Sequence, residues 1–201
     1  MSSHPVENTA ALELQQDRRG FLKKTGLMSL GVLAATSLLN SSNAAAVPHN
    51  AVATSTSEDI AILNVALALE HQAIAAYQLG YESGLLSAAV QGVVVKFQSQ
   101  HKAHASVLTD TIEKLGGKAV VAKNPSEYGF PVASLKRQED VLRFAAGLEK
   151  GAASAYLGAV PAFHNKDLAK AAASILGDET MHWAILLNAL GEDPVPVSFI
   201  S

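Results

Sequence analysis

The sequence predicts an all-α protein: an antiparallel four-helix bundle with one long crossover between its second and third helices. Three observations carry this. The chain has 201 residues, no cysteine and only 5% aromatic residues, yet it is 49% hydrophobic and rich in alanine. Ala, Leu, Lys, Glu and Gln lose the least on entering a helix. Four stretches repeat apolar residues at the helical period and fall into two close pairs, separated by nearly twenty aperiodic residues. Finally, a carboxylate-and-histidine pattern occurs twice. Glu149 follows Glu70 by 79 residues, and Tyr156 follows Tyr77 by 79. Glu179 follows His101 by 78, and His182 follows His104 by 78. Two hairpins with one ligand layout imply a pseudo-two-fold axis and a shared site at mid-height.

The elements follow in order. Residues 1–46 read as an export address: Arg18-Arg19-Gly20-Phe21-Leu22-Lys23-Lys24, an apolar stretch over 25–39, then small residues ending Asn43-Ala44-Ala45-Ala46. The apolar stretch is short of the about 20 residues a membrane span needs. The paired arginines and Phe-Leu-Lys resemble a bacterial twin-arginine signal, with Asp17 where that motif has Ser or Thr. The resemblance implies the twin-arginine export machinery as a partner and a periplasmic or extracellular location; an uncleaved anchor is the other reading.

Residues 47–56 read as a linker, because Pro48, Asn50 and the Ser/Thr alternation lack an apolar period. The bundle spans 57–191. Its first helix is expected over 57–82, opened by Ser57, Glu58 and Asp59 and carried by Ile60, Leu63, Leu67, Ile74 and Tyr77. The second is expected over 88–115, from Val90 and Val94 through Phe97 and Leu108, until Gly116-Gly117 ends it. Their short connection makes them antiparallel neighbours. Residues 116–134, with Gly117, Pro125, Gly129 and Pro131, form the crossover. The third helix is expected over 135–160, closed by Pro161, and the fourth over 166–190, capped by Asn165 and ended by Gly191. Residues 192–201 are a short apolar tail.

Charge excludes one class of partner. From Val47 onward there are 11 Lys and Arg against 15 Asp and Glu, a net −4, which argues against nucleic acid. With no cysteine, thiolate metal sites and disulfides are impossible. No glycine-rich phosphate loop or nucleophile elbow occurs.

Positions i and i+3 share a helix face, so Glu179 with His182, and His101 with His104, can each address one centre. Glu70 and Glu149 add a carboxylate from each remaining helix. Buried carboxylates are costly without partners, so three on one level point to metal ligation. Three Glu and three His suit iron or manganese, with zinc less favoured and calcium disfavoured by the imidazoles. Gln98 and His101 offer a competing i, i+3 register in which His104 turns away; the His101/His104 register keeps the 78-residue offset. Tyr77 and Tyr156, two turns beyond Glu70 and Glu149, are expected beside the ligands as packing groups bonded to a carboxylate, or as redox-active groups. His71 reads as an interface contact, His164 as an exposed turn residue and Trp183 as packing.

These residues resemble the ferritin-like superfamily of metal-carboxylate bundles, which draws a Glu from two helices and Glu-x-x-His from the other two. Glu70, Glu149 and Glu179-x-x-His182 match. His101-Lys102-Ala103-His104-Ala105 departs by placing His101 where the family has glutamate. Leu69-Glu70-His71-Gln72-Ala73 and Gly177-Asp178-Glu179-Thr180-Met181-His182 are most similar to exported ferritin-like proteins related to desiccation-associated proteins. The resemblance implies a ferritin-like bundle over 57–191 holding one or two ions, two being the first choice and one the competitor because His101 replaces the usual bridging carboxylate. It implies redox chemistry with oxygen or peroxide, of ferroxidase, peroxidase or catalase type, in oxidative or desiccation stress. A non-enzymatic stress or envelope bundle with a structural metal, or none, is the alternative. A homo-oligomer is compatible with either, and a ferritin-type cage is not indicated.

Overall fold

The computed structural model describes residues 49–201, and the expected export signal at 1–46 lies outside them. Four helices make up the bundle: α1 (His49–Glu82), α2 (Ala88–Lys114), α3 (Gln138–Ala159) and α4 (Lys166–Ala189). Short 3-10 turns at Pro125–Tyr128 and Val132–Ser134 punctuate the crossover, and a third, Val160–Ala162, follows α3 around Pro161. Among the described residues there is no strand. α1 packs on α2 and α3 on α4 as hairpins, and α1 also packs on α3.

α1 begins at His49, within the segment expected as a linker. Its polar run is helical with the hydroxyls bonded to carbonyls one turn back: Ser55 and Thr56 to Val52 at 2.9 and 3.0 Å, Ser57 to Thr54 at 2.8 Å. Ser and Thr that satisfy themselves in this way continue a helix rather than cap it. α2 and α4 end as expected. At Gly116 and Gly191, φ is +81° and +74°, and the next amides reach back to Ile112 and Leu187 at 2.9 Å. These bonds close Schellman caps whose left-handed position favours glycine.

Loop and helix ends are pinned by polar side chains. Asn64 accepts from the Val120 amide at 2.8 Å and donates to Lys118 O at 3.1 Å, holding the crossover on α1. Asp59, 4% exposed, accepts the amides of His164 and Asn165, fixing the entry to α4. Asn165 accepts from the Asp167 amide at 2.8 Å, as expected of a cap. α3 starts three residues later than expected because Asp140 accepts from the amides of Lys136 and Arg137, which sets its first turn.

The core consists of two apolar clusters. One holds Leu63, Leu67, Leu108, Ile112, Tyr156 and Ile175; the other holds Tyr77, Val94, Phe97, Leu142, Trp183 and Leu186. The repeat exchanges them: Leu63 corresponds to Leu142, Leu108 to Leu186, Ile175 to Phe97 and Tyr156 to Tyr77. The bundle thus has two matching apolar ends and a polar middle. Glu70, His101, Glu149, Glu179 and His182 fill that middle, each at most 2% exposed.

Candidate metal centre

Each helix contributes to the centre from its interior. α1 supplies Glu70, α2 supplies His101 and His104, α3 supplies Glu149, and α4 supplies Glu179 and His182. His101 lies between the carboxylates of the other hairpin and its own: Nδ1 is 2.8 Å from Glu70 Oε2, and Nε2 is 3.1 Å from Glu149 Oε1. His104 Nδ1 is 3.3 Å from Glu179 Oε1 and 3.5 Å from Glu70 Oε2. His182 Nδ1 is 3.5 Å from Glu149 Oε2 and 3.9 Å from Glu179 Oε2. All six expected ligands therefore meet.

They form two overlapping groups, Glu70–His101–His104–Glu179 and His101–Glu149–Glu179–His182. Within each group one ligand atom per residue lies within 4.8 Å of the others. His101 and Glu179 belong to both. Glu179 presents Oε1 towards His104 and Oε2 towards His182, so its carboxylate spans the two groups.

The donor atoms fit a metal on their own evidence. His104 Nδ1, Glu149 Oε2, both oxygens of Glu179 and His182 Nδ1 are buried and have no hydrogen-bond partner. A buried polar atom left unsatisfied costs about 1–3 kcal/mol. Here five such atoms face one region, and coordination would satisfy all of them. Mixed carboxylate and imidazole donors suit iron, manganese or zinc.

Gln98 is not at the centre. Its amide donates to Ile74 O and Gln78 Oε1 and its oxygen accepts from Lys102, so α2 presents the His101/His104 register inward. The tyrosines take crossed positions. Tyr156 donates to Glu70 Oε1 at 2.5 Å, and Tyr77 donates to Glu149 Oε1. His71 Nε2 lies 3.3 Å from Val120 O, at the crossover. His164 is exposed and 2.6 Å from Glu58, and Trp183 packs in the second apolar cluster.

Two contributors were not expected from the sequence. Asp178 Oδ2 is 3.2 Å from His104 Nε2, and Gln100 Oε1 is 3.1 Å from His182 Nε2. Each partner holds the outer ring nitrogen, which leaves Nδ1 facing inward; such support fixes the tautomer and orientation of a metal-binding histidine. Gln100 and Asp178 are 78 residues apart, so the repeat that marked the ligands also contained these two.

In the metal-free protein these carboxylates and imidazoles shift one another's protonation. Burial would raise Glu70, but the hydrogen bond from His101 and the nearby His104 lower it to about 2. Glu149 is likewise held well below the carboxylate range: burial opposes this, and His101 and His182 outweigh it. Burial opposes protonation of His101, yet Glu149 and Glu70 raise it to about 10; His104 rises to about 11 against the same burial, through Asp178, Glu179 and Glu70. Glu179 rises to about 8, chiefly by burial, with His104 opposing and Glu149 adding to the rise. Burial, then Glu149 for Tyr77 and Glu70 for Tyr156, pushes both phenols up, so they remain hydrogen-bond donors.

A family model described as a ferritin-like domain matches residues 58–192. Among solved structures, a conserved hypothetical protein from Mycobacterium tuberculosis aligns with a TM-score of 0.61 at 24% identity, covering 72% of this chain and 99% of that one. A ferritin-like, diiron-carboxylate protein from Bacillus anthracis aligns with a TM-score of 0.58 at 22% identity, covering 68% of this chain and 97% of that one. No curated protein matches the chain. At these identities the likeness to solved structures is one of fold.

Proposed function

The chain belongs to the ferritin-like domain family, and on that premise we propose that it is an exported metal-binding bundle whose core supports iron or manganese redox chemistry with oxygen or peroxide. The observation that carries this is the set of five unpartnered donor atoms on His104, Glu149, Glu179 and His182, buried between two apolar clusters. A metal is the partner these atoms lack.

In this reading Glu70 and His104 hold one side of the centre, and Glu149 and His182 the other. Glu179 offers one oxygen to each side. His101 offers one nitrogen, and its other N–H keeps its bond to the opposite carboxylate, because a neutral imidazole has a single lone pair for ligation. Tyr156 and Tyr77 hold the outer oxygens of Glu70 and Glu149, which orients the carboxylates. Asp178 and Gln100 orient the two histidines. Bound iron or manganese would supply a divalent/trivalent couple. Ligation requires His101, His104 and Glu179 to release protons at their ligating atoms, and the apolar clusters keep bulk water from the centre.

Export rests on the Arg18-Arg19 segment, and a role in oxidative or desiccation stress rests on the resemblance carried by the sequences around Glu70 and Glu179. The alternative, a non-enzymatic bundle with a structural metal or none, is favoured by one observation: both nitrogens of His101 already have carboxylate partners. Metal analysis of protein purified from the exported fraction separates two ions, one and none. A metal-loaded sample whose spectrum stays unchanged on adding oxygen and then peroxide would remove the redox reading.

A further inference from the structure

The repeat that makes the two halves alike also shows where they differ, and the difference is a void. An apolar groove of about 190 Å³ lies between α1 and α3, with Val65, Leu69 and Ala155 at its rim. A second void of about 30 Å³ lies inside the first apolar cluster, beside Ala171, Ala172 and Ile175. Ala66, Tyr156 and Ala159 line both, so the groove and the interior void adjoin at these side chains. Tyr156 is also the residue bonded to Glu70.

The other half carries larger side chains at the positions equivalent to the void's Ala171, Ala172 and Ile175. Seventy-eight residues before Ala171, Ala172 and Ile175 stand Val93, Val94 and Phe97. Phe97 is buried and stacks on His182 with ring centroids 4.0 Å apart, plugging the Tyr77 side. On the surface, the counterpart of Val65 is Phe144, which Phe130 of the crossover packs against at 5.4 Å. Ala171, Ala172 and Ile175 on one side, against the larger Val93, Val94 and Phe97 on the other, leave an apolar route that reaches Tyr156, whose hydroxyl bonds Glu70.

We propose that this route, from the α1–α3 groove past Tyr156 to the void beside Ala172, is a one-sided access path for dioxygen; the proposal rests on the redox reading above. The lining offers a polar guest no free donor: the Thr111 hydroxyl donates to Val107 O at 2.7 Å and the Tyr156 hydroxyl to Glu70. Hydrogen peroxide entering there would give up most of its hydrogen bonds with water and find no donor for its own oxygens. A small apolar molecule loses nothing, and dry apolar cavities bind xenon. The inner void admits a diatomic molecule and excludes anything much larger.

Xenon tests the path without any metal. Metal-free protein crystallised under xenon pressure, or followed by xenon NMR, is expected to bind xenon beside Tyr156 and Ala172 and not beside Tyr77. Ala172→Val with Ile175→Phe copies the other half's packing and should abolish that binding; Ala155→Leu, at an exposed position on the groove's rim, gives a second block that leaves the core intact. In metal-loaded protein either block should slow the reaction with dioxygen severalfold and leave the reaction with peroxide unchanged. Absence of xenon from the wild-type void, or equal slowing with both oxidants, overturns the path. Xenon bound as expected, in a loaded protein that reacts with peroxide but not with dioxygen, overturns the assignment to dioxygen and leaves the redox reading standing; a loaded protein that reacts with neither removes the redox reading itself.

Discussion

The Tyr156 hydroxyl on α3 donates to Glu70 Oε1 on the neighbouring α1 at 2.5 Å, while Tyr77 on α1 donates to Glu149 on α3. Each tyrosine serves the carboxylate of the opposite hairpin, so the two bonds tie the halves together at the level of the centre. Tyr156→Phe removes the bond and leaves a buried, charged carboxylate oxygen short of a donor. Hydrogen bonds to charged groups contribute about 1.5–3 kcal/mol. Denaturant unfolding of the metal-free variant should show a loss of that order with the helical content of the folded state unchanged; wild-type stability would mean that Glu70 finds another donor.

His101 is where the chain departs from its family's pattern, and His101→Glu restores the missing carboxylate. The metal-free variant would bury four carboxylates around His104 and His182, having lost the cation that bonds Glu70 and Glu149. Its metal-free melting temperature should fall. A carboxylate with two oxygens can serve both sides, so metal content should rise towards two ions per chain and the stabilisation by added iron or manganese should exceed that of wild type. Unchanged stoichiometry in His101→Glu would show that His101 does not limit loading.

Asp178 holds His104, whereas the neutral Gln100 holds His182. A carboxylate makes the imidazole it supports a stronger donor, and loss of such a partner weakens metal binding by about 10–100-fold. Asp178→Asn keeps the shape and removes the charge. Titration calorimetry with manganese should show weakened binding in Asp178→Asn, while Gln100→Ala affects only the His182 side. If neither variant changes affinity, these contacts are packing.

Much of the centre was legible because ligands must converge whatever surrounds them. The 78- and 79-residue offsets fixed Glu70, His101, His104, Glu149, Glu179 and His182, and the hairpin lengths put them at one height. Gln98 could not be dismissed by spacing alone; its bonds to Ile74 O and Gln78 on α1 decide it, and those are tertiary contacts. The start of α1 was misplaced for a related reason: apolar periodicity marks where a helix is buried, and the turns around Ser55 are helical while largely exposed. Asp59 reads as an ordinary first-turn acid until α4 is brought beside it.

The pH dependence of the metal-free protein should run opposite to that of metal binding. Glu70 is lowered to about 2, so its contribution to stability is present above the ordinary carboxylate value near 4.5 and is lost as pH falls through about 2. Glu179 is raised to about 8, so its contribution is full below about 4.5 and is lost as pH rises through about 8. His101 and His104, raised to about 10 and 11, contribute fully below about 6.5 and lose that contribution as pH rises through those values. Metal-free stability should therefore peak in mildly acidic solution and decline towards alkaline pH. The same three protons, on Glu179, His101 and His104, must leave for their atoms to ligate, so affinity should grow over the interval in which metal-free stability falls. Melting temperatures recorded with and without manganese between pH 5 and about pH 9 should show a gap that widens with pH, since saturating ligand at 100 times Kd adds about 2.7 kcal/mol. Glu179→Gln, which cannot ionise, should flatten the metal-free decline through about pH 8 and narrow the gap throughout. A gap that stays constant with pH, in wild type and variant alike, would mean that metal binds away from these protons.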